Sequence, residues 1–120
     1  GFVPVIAPIG AGPEGEAYNI NGDTAAAEVA AAVCAEKVIL LTDVPGVLDR
    51  KGERISTMTV DEAAAAVREG LITGGMIPKV EACLFALSSL PSCLILDGRK
   101  EHALVAALEG AAGGTRIERG

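Results

Sequence analysis

Two short, uninterrupted apolar segments constrain the fold of this chain more than any other feature. Residues 38–42 read Val-Ile-Leu-Leu-Thr, and residues 93–96 read Cys-Leu-Ile-Leu. Segments that are apolar at every position are typical of strands covered on both faces in a parallel sheet. Segments with helical periodicity lie between and beside them. The sequence therefore predicts one α/β domain over residues 1–120, an open, mainly parallel sheet with helices on both faces (an αβα sandwich).

The other elements are predicted from periodicity and turn residues. The β-rich run at 2–9 contains two prolines, so we expect a short or edge strand there. Gly22 or Asp23 would cap the first helix, and a Thr59–Glu62 capping box would open the second. A small hairpin is expected after the first apolar strand. The predicted helices cover residues 23–35, 59–69, 78–90 and 101–108, and a last strand covers 115–117.

Composition argues against two classes of function. The formal net charge is −6, no run of Lys and Arg is long enough to follow a nucleic-acid backbone, and aromatic residues are scarce, so nucleic-acid binding is not expected. Charged residues interrupt every long apolar stretch, so we expect no membrane-spanning segment. The first residues lack the basic region of a signal peptide and read as a strand already under way, as if the chain began within a longer protein.

The three cysteines are Cys34, Cys83 and Cys93. Their spacing matches no zinc site, and each lies in an apolar stretch. We therefore expect buried, reduced thiols, which are typical of a cytoplasmic protein.

Polar residues precede the first predicted helix at alternating positions. In an extended backbone, Asn19, Asn21 and Asp23 would point to one side and could grip a small polar substrate. Asn and Asp are also favoured in turns and at helix N-caps, so a structural role is the open alternative.

Gly74 and Gly75 precede the third predicted helix, which carries Lys79 near its start. A glycine pair exposes backbone N–H groups at the partly positive end of a helix, which is a favourable place for phosphate. Lysine there opposes the helix dipole unless an anion is bound nearby. The alternative is a lysine that faces only solvent.

Asp43 ends the first buried strand, at the edge of the sheet where α/β folds bind ligands. A strand-ending turn at Pro45-Gly46 explains the same residues equally well. Asp97-Gly98 ends the second buried strand, and we expect it to be structural.

Other motifs are set aside. Residues 10–15 have GxGxxG spacing, but Pro13 and the adjacent glutamates do not suit a dinucleotide-binding turn. His102, the only histidine, has no nearby cysteine or paired aspartate, so we expect a surface or capping role. No arrangement of Ser, His and Asp or of Cys and His predicts nucleophilic catalysis.

Three segments together resemble the amino acid kinase superfamily, and within it the carboxyl-terminal, nucleotide-binding half of the N-acetylglutamate kinase family. They read Tyr-Asn-Ile-Asn-Gly-Asp-Thr-Ala-Ala at 18–26, Ala-Glu-Lys-Val-Ile-Leu-Leu-Thr-Asp-Val-Pro-Gly-Val-Leu at 35–48 and Gly-Leu-Ile-Thr-Gly-Gly-Met-Ile-Pro-Lys-Val at 70–80. The closing Gly-Thr-Arg-Ile at 114–117 is similar too, so the resemblance covers nearly the whole chain. Three motifs in this order are far more specific than any one of them.

The resemblance implies ATP-dependent phosphorylation of the γ-carboxylate of N-acetyl-L-glutamate, in arginine biosynthesis, with Mg2+ carried by the nucleotide. It implies that Lys79 and Asp23 are catalytic: Asp23 would organise the catalytic lysines, and Lys79 would neutralise charge on the transferred phosphoryl group. Asn19 would bind the substrate. The residues expected to surround the nucleotide are Asp43, Val44, Pro45, Gly46, Val47, Leu48, Leu71, Ile72 and Thr73.

Two departures from the family pattern leave alternatives open. The family's amino-terminal half, with a glycine-rich segment and a second lysine, is absent, so we expect little kinase activity from this chain alone and either self-association or pairing with that half. Arginine-inhibited members carry a histidine, an acidic residue and glycines near their end, which His102, Glu109 and Gly113-Gly114 match only in part. A kinase of the acetylaminoadipate kinase or aspartokinase type, or a non-catalytic regulatory domain, is the alternative function.

Overall fold

The computed structural model describes all residues, 1–120, as six strands and four helices. No helix among them is both long enough and apolar enough to cross a membrane. In chain order the elements are β1 (Ile9–Ala11), β2 (Ala17–Asn19), α1 (Gly22–Ala32), β3 (Val38–Thr42), β4 (Thr57–Thr59), α2 (Val60–Arg68), α3 (Met76–Ala86), β5 (Ser92–Asp97), α4 (Ala103–Leu108) and β6 (Thr115–Glu118).

The main sheet has four strands in the order β3-β5-β6-β4. β3 runs parallel to β5, with Val38 opposite Cys93, and β4 runs parallel to β6. β5 and β6 are antiparallel. The sheet is therefore mainly parallel, as predicted, and β3 and β4 form its two edges. β1 and β2 pair separately as an antiparallel hairpin.

One face of the main sheet, the inner face, carries the core. Alternate residues of each strand point to this face, and α1, α2 and α3 pack on it. Alanines such as Ala27 and Ala63 let the helices approach closely, because their side chains take little room. The strand residues buried on the inner face are Val38, Leu40, Met58, Cys93, Ile95 and Ile117.

The opposite, outer face is covered thinly. Leu96 is buried there beside Ala103 and Ala106 of α4, but α4 itself has no buried residue. Leu41 on the same face stays 47% exposed. Helices lie on both faces, as predicted, yet nearly all the burial is on one side.

The predicted strand at 2–9 is wrong. Residues 1–7 have no regular structure, and the strand begins only at Ile9. Pro4 and Pro8 cannot donate to a ladder, which confines pairing to the residues that follow them. The first helix begins at Gly22 and is capped by Asn21 rather than by Gly22 or Asp23. The Thr59–Glu62 capping box is confirmed in full at the start of α2.

Cys83 and Cys93 are buried, as predicted, but the expectation of three buried, reduced thiols is otherwise wrong. Cys83 on α3 and Cys93 on β5 form a disulfide, with 5.5 Å between their Cα atoms. They lie ten residues apart in sequence, and the turn between α3 and β5 folds one element back on the other. Cys34 is exposed, because α1 ends at Ala32 and the backbone turns at Cys34 with φ 52°.

Candidate functional site

The first turns of α1 and α3 meet at an ion pair. Lys79 Nζ lies 3.0 and 3.1 Å from the two carboxylate oxygens of Asp23, 56 residues away in sequence. The side chains are 19% and 17% exposed, respectively. α1 and α3 pack side by side, which brings their first turns together. The structure thus joins the two residues that the sequence predicted as a catalytic pair.

The surroundings of this pair favour an anion. Two helix N-termini converge here, and each adds partial positive charge. The first turn of α3 contains no acidic residue, so Asp23 from α1 is the carboxylate that compensates Lys79. The N–H groups of Gly74 and Gly75 donate to no acceptor in the chain. Both glycines are exposed, and a Cβ added at either would meet nothing within 4 Å.

Asn21 and Asn19 have separate environments. The Oδ1 of Asn21 accepts hydrogen bonds from the backbone N–H groups of Asp23 and Thr24, at 3.0 and 3.1 Å. Asn21 is therefore a helix cap, which was the structural alternative. Asn19 ends β2 and is exposed. Asp23 already lies in the first turn of α1, and Asn21 is used as its cap, so the three polar residues do not share one extended strand.

The segment 43–48 turns away from the end of β3 and is anchored to β6. The backbone N–H of Val47 donates to Thr115 Oγ1 at 2.9 Å, and that hydroxyl donates to the carbonyl of Ile55 at 2.6 Å. Gly46 has φ 145°, and a Cβ on it would lie 2.6 Å from Thr115 Oγ1. The predicted hairpin follows, closed by a bridge between Leu48 and Arg54.

The residues predicted to surround the nucleotide differ in accessibility. Val47 and Ile72 are 1% and 3% exposed and belong to the core, so only their backbone could touch a ligand. Val44 and Leu71 are half-buried. Asp43, Pro45, Leu48 and Thr73 are exposed.

Arg99 is a feature that the sequence reasoning missed. Its Nε and Nη2 donate to the two oxygens of buried Asp97, both at 2.9 Å. These bonds lower the pKa of Asp97 to about 2. The bond to Asp97 raises the pKa of Arg99, and the charge of Asp43 adds to that effect. β3 and β5 are parallel, so their carboxyl ends lie at the same edge of the sheet. Asp43 follows the end of β3, Asp97 ends β5, and Arg99 lies beside them. The Asp-Gly-Arg order after a buried strand was the available signal.

His102 is exposed at the N-cap of α4, as expected, and lies 3.7 Å from Glu101. The chain has no cluster of three or more His, Cys, Asp or Glu side chains that could hold a metal ion.

The amino acid kinase family model matches residues 1–97. The chain belongs to the amino acid kinase family. Among relatives in this family, the acetylglutamate kinase of Gluconobacter oxydans is 51% identical over 120 residues, which are 98% of this chain and 41% of that protein. The acetylglutamate kinase of Rhodospirillum centenum is 54% identical over 115 residues, or 93% of this chain and 38% of that protein. The chain thus spans about two fifths of the length of these relatives.

A solved structure shows the same amino acid kinase fold. The N-acetylglutamate synthase of Neisseria gonorrhoeae, complexed with coenzyme A and L-arginine, superposes with a TM-score of 0.87 at 25% identity. The match covers 96% of this chain and 27% of the synthase. The fold is therefore an amino acid kinase fold.

Proposed function

We propose that the protein to which this chain contributes phosphorylates the γ-carboxylate of N-acetyl-L-glutamate with MgATP, in arginine biosynthesis. In this proposal, residues 1–120 form the nucleotide-binding half. The observation that carries it is the Lys79–Asp23 pair, set at two helix N-termini and preceded by the exposed Gly74 and Gly75, whose N–H groups have no acceptor in the chain. The relatives named acetylglutamate kinase support the choice of reaction.

Lys79 has the central role in this proposal. Transfer of a phosphoryl group to a carboxylate brings anions together, so positive charge and positioning supply most of the catalysis. Lys79 would neutralise the transferred group. Both carboxylate oxygens of Asp23 accept hydrogen bonds from the Lys79 ammonium, so Asp23 would fix where that charge lies. No covalent intermediate on the protein is required.

The nucleotide would lie between the end of β3 and the start of α3. When bound, MgATP supplies the phosphoryl group, and Mg2+ arrives with it. The exposed N–H groups of Gly74 and Gly75 suit phosphate oxygens. Asp43, Pro45, Leu48 and Thr73 are accessible from solvent, and the other predicted contacts would use mainly backbone. Asn19 would bind the acylglutamate.

Location and assembly are further parts of the proposal. An ATP-dependent biosynthetic enzyme would work in the cytoplasm, although the Cys83–Cys93 disulfide does not favour a reducing compartment. The edge of β3 is free on one side, which suits pairing with the rest of the enzyme or self-association.

A non-catalytic, kinase-like domain is the second candidate, since the fold matches part of an N-acetylglutamate synthase with a TM-score of 0.87. The intact Lys79–Asp23 pair favours a kinase over this candidate. Another amino acid kinase, of the acetylaminoadipate kinase or aspartokinase type, would share the same pair and differ in substrate.

The proposal is tested first by calorimetric binding of MgATP to the 120-residue chain. Saturable binding that is lost in Asp43→Ala and kept in Asp61→Ala, an exposed residue of α2, would support a nucleotide-binding half. Absence of binding would mean that this chain alone does not form the nucleotide site. A substrate panel with the longer protein then separates N-acetylglutamate from the other acceptors.

A further inference from the structure

The outer face of the main sheet carries a group of cations that the proposed kinase site does not use. Lys37, Arg54 and Arg116 line one groove of about 340 Å³, the cationic groove. None of the three takes part in an ion pair. No Asp or Glu lines the groove, although the chain has a net charge of −6. Cations gathered without a carboxylate create a local positive potential that attracts anions.

Strand register explains why these side chains converge. Arg116 of β6 lies directly opposite Leu94 of β5 and Thr57 of β4, so all three point to the outer face. Lys37 comes immediately before β3, at the edge where the groove opens. Arg54 reaches in from the hairpin. The fold therefore brings together three cations from three separate segments of the chain.

Five neutral hydrogen-bond donors belong to residues that line the cationic groove. None of these five donates to an acceptor within the chain. Arg54 is partly fixed, because its Nη1 donates to the carbonyl of Gly114. Glu118 lies opposite Ser92 in the strand register and is not among the residues that line the groove. The donors are the hydroxyls of Ser56, Thr57 and Ser92 and the backbone N–H groups of Ala112 and Gly113.

We propose that the cationic groove binds a small organic polyanion, a molecule with two or more carboxylate or phosphate groups. Three cations and five neutral donors match several anionic oxygens. The volume, about 340 Å³, falls in the range of roughly 300–1,000 Å³ usual for small-molecule sites. This inference is independent of the proposed function.

The same charges disfavour a cationic ligand such as L-arginine. Its guanidinium would meet Lys37, Arg54 and Arg116 with no carboxylate among the lining residues. Of the residues that match the arginine-inhibited pattern in part, Gly113 lines the groove, and His102, Glu109 and Gly114 do not.

The test is a titration of the full 120-residue chain with citrate, followed by amide 1H–15N NMR. Amide signals distinguish this groove from anion binding at Gly74 and Gly75. Citrate should shift the signals of Ala112, Gly113 and Arg116 saturably. Arg116→Gln and Lys37→Gln should each weaken binding about tenfold, because each removes a charge-assisted hydrogen bond. Arg68→Gln on α2 removes the same charge elsewhere and should leave the affinity unchanged.

Any one of four results would overturn the proposal. The first is the absence of a saturable shift at these amides when citrate is added. The second is a loss of affinity in Arg68→Gln as large as that in Arg116→Gln, which would indicate only an effect of net charge. The third is tighter binding of L-arginine than of citrate. The fourth is binding of inorganic phosphate as tight as that of citrate, which would mean that a single oxyanion suffices.

Discussion

Lys79 forms an ion pair with Asp23, and removing the Lys79 ammonium should lower the rate of phosphoryl transfer. In the longer protein, Lys79→Ala should lower the rate of ADP formation by about a thousandfold, since donors that stabilise developing charge contribute on this scale. The fold should persist, because Lys79 is at the rim of the core rather than in it. Steady-state kinetics with N-acetylglutamate and MgATP measure this.

The matched control for that experiment is Lys51→Ala. Lys51 is exposed at the tip of the hairpin. Replacing it with alanine removes the same charge as Lys79→Ala, but away from α3. If both variants lost equal activity, or if Lys79→Ala kept its turnover, a catalytic role for Lys79 would be wrong.

The lowered pKa of Asp97 makes the free energy of unfolding depend on pH in the acid range. Its pKa falls from 3.8 to about 2 in the folded chain, mainly through the hydrogen bonds from Arg99. As the pH falls, the unfolded chain takes up this proton before the folded chain does. The stabilisation is therefore complete above about pH 4 and disappears as the pH approaches 2.

Urea unfolding at several pH values checks this expectation. Between pH 4 and 2 the wild-type chain should lose stability more steeply than Asp97→Asn, which lacks the titrating group. Asp61→Asn, at an exposed position, should keep the wild-type slope. Parallel pH profiles for wild type and Asp97→Asn would contradict the assignment.

At the residue scale, the approach of Lys79 to Asp23 could be predicted, because their motifs occur in a specific order. Asn21 could not be assigned between substrate binding and capping, because both uses need the same side-chain oxygen. The link between Asp97 and Arg99 depends on a bend of the backbone after β5, and residue types alone do not specify such a bend.

At the element scale, the entry into β6 depends on one glycine. Gly114 has φ 65°, and a Cβ there would collide with the carbonyl oxygen of Ile95. Gly110 has φ 89°, but its surroundings are open. Gly114→Ala should cost about 3 kcal/mol, from backbone strain plus displacement of β5, whereas Gly110→Ala should cost about 1 kcal/mol.

Urea denaturation of the two glycine variants provides the measurement. Because each substitution adds one methyl group at positive φ, Gly110→Ala controls for the backbone term. Equal losses of unfolding free energy would show that the close approach to Ile95 is relieved without cost.

The elements that could be predicted were those with local signals. β3 and β5 are continuous apolar runs, and the Thr59–Glu62 box starts α2 by hydrogen bonds within four residues. The pairing of Cys83 with Cys93 needed the packing of α3 on β5, which spacing rules for metal sites do not consider. The β-rich start of the chain has strand propensity, but the prolines remove donors from it, so propensity alone was misleading.

At the scale of the whole molecule, exposed apolar surface predicts association. Ile6, Val29 and Val33 are 63%, 38% and 68% exposed, and Ile6 and Val29 help to line an apolar groove of about 370 Å³. Patches of this kind usually mark contact surfaces. The chain should therefore show a concentration-dependent mass in analytical ultracentrifugation.

Val29→Glu should reduce that association, because it places a charge in the apolar groove. Leu108→Glu is the control, since Leu108 is 61% exposed on α4, on the other side of the sheet. A chain that stays monomeric at all concentrations, or a stronger effect from Leu108→Glu, would contradict this surface as the contact.

The strand order β3-β5-β6-β4 could not be predicted from the sequence. Alternating strands and helices indicate a sheet, but they do not say that β6 enters between β5 and β4. The sequence also could not predict that the outer face is covered only thinly, because the predicted fourth helix is similar in composition to the others.

The position of β6 has a consequence for biosynthesis. β4 joins the sheet only through β6, yet β6 is made some sixty residues after β4, as their ranges show. Until the ribosome has synthesised β6, β4 and α2 have no sheet to join. Thr115, which anchors the turn after β3, is also not yet present. Folding units usually form as they emerge from the ribosome. Here β6 links β4 to β5 in the sheet, so chains interrupted shortly before Thr115 should be favoured targets for chaperones and proteases.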